Sequence, residues 1–92
     1  MKKKEFIKIM EQIEMIAIDY FAVIVDLGFN EYELIVNTID SFEDKFKYYL
    51  NEFDDNMYDV KNQRRIVDLI GSYDMKSIVE EFELYKKNVE YR

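Results

Sequence analysis

The side chains able to do chemistry in this chain are carboxylates, because Asp and Glu number 20 against 13 Lys and Arg, and there is no His and no Cys. Without Cys there is no disulfide framework and no thiolate nucleophile. Without His as well, most zinc sites and the commonest general base are gone. The adjacent acids Asp54–Asp55 and Glu80–Glu81 have the residue types for acid–base work. That role needs a pocket and a perturbed pKa, whereas a run of charges is ordinarily a solvated face. Asp54, Asn56 and Asp59 offer oxygen ligands, yet their spacing lacks the glycine turn and the closing bidentate glutamate of a calcium loop. Ser41, Ser72 and Ser77 have no His to activate them, and caps and a turn account for their positions. With only Gly28 and Gly71 present, no glycine-rich loop can cradle a phosphate. Arg64–Arg65, flanked by Lys61 and Gln63, reads as a charged guard beside the short apolar patch Ile66 to Ile70. The chain is therefore read as a non-enzyme, with no catalytic, cofactor-binding or metal-binding residues and no cofactor.

What remains is charge in a pattern. Residues 40–59, DSFEDKFKYYLNEFDDNMYD, hold Asp40, Glu43, Asp44, Glu52, Asp54, Asp55 and Asp59 against Lys45 and Lys47, a local excess of five negative charges. The whole chain carries −7, which argues against direct nucleic-acid binding, since affinity for phosphates comes from Lys and Arg. It favours a protein partner with a basic surface. Tyr48, Tyr58, Tyr73 and Tyr91 fall outside the clearest apolar stripes, and tyrosine is enriched where proteins meet. Of these, Tyr48 and Tyr58 flank the acid-rich segment. The candidate partner-binding set is thus Glu43, Asp44, Tyr48, Glu52, Asp54, Asp55, Tyr58 and Asp59.

Several elements must position these groups. Phe42, Phe46, Tyr49, Leu50 and Phe53 recur at three- and four-residue steps, so 41–53 reads as a helix with one core face, started by Asp40 or Ser41 as N-cap. Lys3 to Glu14 shows a similar stripe in Phe6, Ile9, Met10 and Ile13. Met15 to Val25 is an almost continuous apolar run, and Tyr32 to Ile39 shares its β-branched and aromatic bias; both lean towards strands. Between them Gly28 and Asn30 suit a hairpin loop. Ile66 to Ile70 reads as a short third strand. Ser77 to Asn88 reads as a last helix, with Ser77 and Glu80 at capping-box spacing and Ile78, Phe82, Tyr85 and Val89 as its stripe. SFEDKFKYYLN and SIVEEFELYKKN share Ser, Phe and Tyr at matching positions, which suggests two strand-then-helix units.

The expected fold is α+β, one domain over 1–92, with three helices covering one face of a small antiparallel sheet made of a hairpin and a short third strand. The alternative is an all-α bundle, a helix over 3–27 followed by one over 31–53. Met15 to Val25 contains Asp19 and is about half a membrane span, so no membrane association is expected, and the basic start MKKKEF is interrupted by acids, so the protein is placed in the cytoplasm.

Residues 40–59 following LIVNT resemble segments of small acidic proteins encoded by phages and mobile elements. The whole resembles in kind the anti-CRISPR inhibitors of low-GC Gram-positive hosts. That resemblance implies a non-enzymatic inhibitor acting in the host cytoplasm, whose carboxylates imitate DNA phosphates in the nucleic-acid channel of a host defence nuclease. The competing reading is a structural or regulatory homodimer, paired through exposed apolar area from Met15 to Ile39 or through the last helix.

Overall fold

The computed structural model describes residues 1–16, 19–72 and 74–90. Ala17 and Ile18 of the expected first strand, and Tyr73 and Tyr91 of the surplus tyrosines, lie outside the described residues. In chain order the elements are α1 (Lys3–Met15), β1 (Tyr20–Gly28), β2 (Glu31–Thr38), a single 3₁₀ turn (Ile39–Ser41), α2 (Phe42–Glu52), β3 (Tyr58–Asp59), β4 (Arg64–Ser72) and α3 (Met75–Glu90). The strands form one antiparallel sheet in the order β2-β1-β4-β3. The α+β expectation stands over the all-α alternative, and the apolar run resolves as a strand.

β1 is central, and its lack of alternation has a physical reason. Phe21, Val23 and Val25 face one cluster, with Phe6, Met10 and Ile13 of α1, Phe42 and Tyr49 of α2, and Phe53 just past its end. Ala22 and Ile24 face a second cluster with Ile70 of β4 and Ile78 of α3, bordered by Tyr32, Leu34, Val36, Phe82 and Tyr85. All five residues from Phe21 to Val25 are fully buried, as a strand sandwiched between two layers requires. The sheet is therefore covered on both faces, α1 and α2 on one side and α3 on the other, which corrects the expectation that the helices share one face.

The first cluster is largely aromatic. Phe6 meets Phe46 and Tyr49 edge-on, with ring centroids at 6.2 and 5.9 Å, and Phe21 meets Phe42 at 5.4 Å. Phe42, Phe46, Tyr49 and Leu50 are thus the inner face of α2, and Phe53, the extended residue that ends it, packs in the same cluster. One buried polar bond crosses this layer, from Asn37 Nδ2 to Tyr49 Oη at 3.2 Å.

Two helix starts differ in mechanism from the sequence reading. Asp40 and Ser41 do precede α2, but neither side chain caps it; they form the 3₁₀ turn, and Ser41 Oγ donates backwards to the Thr38 carbonyl at 2.8 Å. α3 begins two residues before Ser77, and its cap is Asp74, whose Oδ1 accepts the Ser77 N–H at 2.8 Å.

Candidate functional site

α2 projects its charged residues away from the aromatic layer. Asp44, Tyr48 and Glu52 follow at four-residue steps, so an acid, a tyrosine and an acid form one row along the helix. Glu43 lies beside it, and Asp54 and Asp55 follow in the turn. Glu43, Asp44, Glu52, Asp54 and Asp55 are exposed. Among the described residues none of these five is in a salt bridge.

The turn is built rather than loose. Asp54 Oδ1 accepts the N–H groups of Asn56 and Tyr58 at 2.9 and 3.0 Å. Its backbone N–H donates to the Tyr58 carbonyl, and its carbonyl accepts from Met57, which sits at φ +54°. These two N–H bonds hold the Asp54 carboxyl below the usual carboxylate range. The start of α1 clamps the same turn. The Lys3 N–H donates to the Asp55 carbonyl, Lys3 Nζ caps α2 at the Leu50 carbonyl at 3.0 Å, and Lys2 Nζ reaches Asn56 Oδ1.

Asp59 departs from its expected place on the anionic surface. It is 1% exposed. Its carboxylate accepts Arg64 Nε at 3.1 Å, Asn62 Nδ2 at 2.8 Å and the Asn62 N–H at 3.3 Å. The Asn62 side chain foremost holds its pKa down. The physical reason is the β3–β4 register, which sets Asp59 directly opposite Arg64. Arg64 is in turn the link to the surface. It donates to Tyr48 Oη at 2.8 Å and lies over the Phe53 ring at 5.2 Å. Tyr48, 40% exposed, is therefore held from behind by a partly buried ion pair, with Lys45 Nζ 5.8 Å from its ring centroid. Tyr58 is only half-buried, but Arg65 covers its ring at 5.4 Å. It stands on the sheet in β3, where Arg65 and the hairpin end of β1 help line one recess with it.

The structure thus leaves Glu43, Asp44, Tyr48, Glu52, Asp54 and Asp55 exposed along α2 and the turn after it, gives Asp59 a structural task in the interior, and half-buries Tyr58 in β3. Asp54 Oδ1 accepts two backbone N–H groups, Asn56 Oδ1 accepts from Lys2 Nζ, and both Asp59 oxygens accept from Asn62 or Arg64. Among the described residues no group of three His, Cys, Asp or Glu side chains is arranged to hold a metal ion. Likewise, no helix among them is long and apolar enough to cross a membrane.

Two features were not singled out from the sequence. One is Arg64 as the organiser of Tyr48, for which a cation five residues after an acid was the available signal. The other is Phe29, fully exposed at the hairpin tip, where Phe29 and Asn30 both adopt positive φ, +54° and +62°. Compared with known protein families, curated proteins and solved structures, the chain finds no match.

Proposed function

We propose that this protein is a non-enzymatic inhibitor that binds a basic, nucleic-acid-binding host protein through the outer face of α2 and the turn that follows it. The observation that carries this reading is the row Asp44–Tyr48–Glu52, unpaired acids on either side of an aromatic fixed by Arg64. Fixing the ring beforehand lowers the entropy cost of ordering it against a partner. The charge density also suits mimicry of nucleic acid. Glu43 to Glu52 covers about 14 Å of helix, and one strand of duplex DNA carries about four phosphates over that length. The helix offers Glu43, Asp44 and Glu52 there, with Lys45 and Lys47 among them, and the turn adds Asp54 and Asp55, a net of three negative charges over 43–55. In a phage-encoded inhibitor of the anti-CRISPR kind, that surface would occupy the DNA channel of a defence nuclease in the host cytoplasm, steered there electrostatically and then excluding DNA.

Competition tests the proposal. Labelled duplex DNA is loaded on purified CRISPR effector nucleases, and its release by the protein is followed by polarisation at low and high salt. Release is expected at low salt and should weaken as salt rises. A variant carrying Glu43→Lys, Asp44→Lys, Glu52→Lys and Asp55→Lys leaves the Asp54 turn and the core intact and should release no DNA. If that variant, folded, competes as well as the parent, this surface is not the binding site.

A further inference from the structure

We infer that the outer edge of β2 is where two copies of this chain pair, antiparallel and centred on Leu34, to make one continuous sheet. β2 is an outermost strand of the sheet. The Ile39 N–H donates to the Asp19 carbonyl at 3.0 Å, continuing the register in which Thr38 faces Tyr20 and Asn37 faces Phe21. Antiparallel pairs alternate, so Glu33, Ile35 and Asn37 turn their backbone groups towards β1, and Tyr32, Leu34, Val36 and Thr38 turn theirs outwards. Ser41 Oγ takes the Thr38 carbonyl. The open stretch is therefore Tyr32 to Val36, and its midpoint is Leu34.

The opposite margin of the sheet shows what a guarded edge looks like in this molecule. β3 covers β4 at Arg64 and Arg65 and as far as the bond from the Ile66 N–H to the Met57 carbonyl at 2.9 Å. Beyond that point the register skips Val67, a bulge, and the Leu69 N–H is taken by the Asp68 carboxylate at 2.8 Å. Bulges, charges and covering segments are the usual means of keeping a strand from pairing with another chain. Among the described residues β2 has no bulge and no covering segment between Tyr32 and Val36, and its one charge there, Glu33, turns its backbone groups towards β1. No Lys, Arg or Pro interrupts it, the hairpin bulge falls on β1 at Leu27, and among the described residues no side chain bonds to its outward N–H groups.

A second copy is the occupant that the pattern fits. Centred on Leu34, the antiparallel register sets Tyr32 opposite Val36, Glu33 opposite Ile35 and Glu31 opposite Asn37, so no carboxylate faces another. A parallel pairing in register would stack Glu31 on Glu31 and Glu33 on Glu33, which is unfavourable. Every open N–H and C=O from Tyr32 to Val36 finds a partner in the antiparallel form. The inference does not rest on the acidic surface of α2; a dimer that leaves DNA on its nuclease would sink the functional proposal alone.

Sedimentation equilibrium of the full chain over a range of concentrations should return twice the monomer mass. In Val36→Pro the lost N–H faces away from β1, so the sheet keeps its internal bonds and the variant should be a folded monomer. A second measurement does not depend on that variant folding. The chain has no Cys, so a nitroxide on the exposed position of Glu33→Cys is unique. It should lie about 8 Å from its copy across the two-fold, by the strand spacings, and show dipolar broadening that a label on Lys61→Cys lacks. A monomer at every concentration, a folded Val36→Pro that still pairs, or a dimer without broadening at position 33 would each overturn the inference.

Discussion

Replacing Asp59 by Ala should destabilise the protein far more than the loss of any other acid in its most acidic segment. The carboxylate is 1% exposed and receives three N–H donors, two from Asn62 and one from Arg64. Hydrogen bonds to a charged group contribute about 1.5–3 kcal/mol each when buried. The Arg64 side chain is 18% exposed and can recover some of its loss in water, so the three bonds do not add in full. We expect about 2–3 kcal/mol, where breaking a fully buried pair would cost about 3–5. For a domain of this size that lowers the melting temperature by roughly 10–20 °C. Urea unfolding of Asp59→Ala, Arg64→Met and the double variant gives the coupling directly, since Met keeps the aliphatic stem against Phe53. Strong coupling is expected; additive effects would refute the account of Asp59 as the anchor of Arg64. The pH dependence has a fixed sign. The Asp59 pKa is lowered in the fold, so its contribution is complete above the unfolded value of about 3.9 and disappears as pH falls through the lower folded value.

Other perturbations separate neighbouring roles. Tyr49→Phe leaves the Asn37 amide, 8% exposed, without its partner, and should cost about 1–2 kcal/mol in urea unfolding. Phe29→Asn relieves a bulky side chain at φ +54° and should raise stability by about 1 kcal/mol; a lower unfolding midpoint would show that the ring packs on something. Asp74→Ala should lower the helical circular dichroism signal and the urea midpoint by removing the α3 cap, and the parent should show the same loss as acid protonates Asp74, whose pKa the Ser77 N–H holds down.

Much of this fold is legible in the residues. The stripes of α1, α2 and α3 and the hairpin at Gly28–Asn30 follow from spacing and turn chemistry. The run Phe21 to Val25 held more than a strand assignment. Alternation vanishes when both faces are buried, so the same run implied a layer on each side of the sheet, and reading the helices onto one face overlooked that. The caps were harder, because Asp40, Ser41, Asp74 and Ser77 are all competent and only the path of the chain selects among them. Asp59 was hidden by its company. Seven acids in 40–59 read alike, and what separates Asp59 is a two-residue strand whose register with Arg64 no local pattern announces. The exposed members of the candidate surface, by contrast, were evident from the stripe they avoid.

The two-sided burial of β1 also orders events during synthesis. β1 and β2 are made early, but β1 pairs with β4 only after some forty further residues, and the layer over Ala22 and Ile24 is α3, which follows all four strands. Chains are made from the N-terminus. A nascent hairpin therefore shows Ala22, Ile24, Tyr32, Leu34 and Val36 as an uncovered apolar sheet until α3 arrives, with β1 still wanting its neighbour. Non-local closure of this kind is slow. Truncation before Met75 should accordingly leave a chain that aggregates on the ribosome or is held by chaperones.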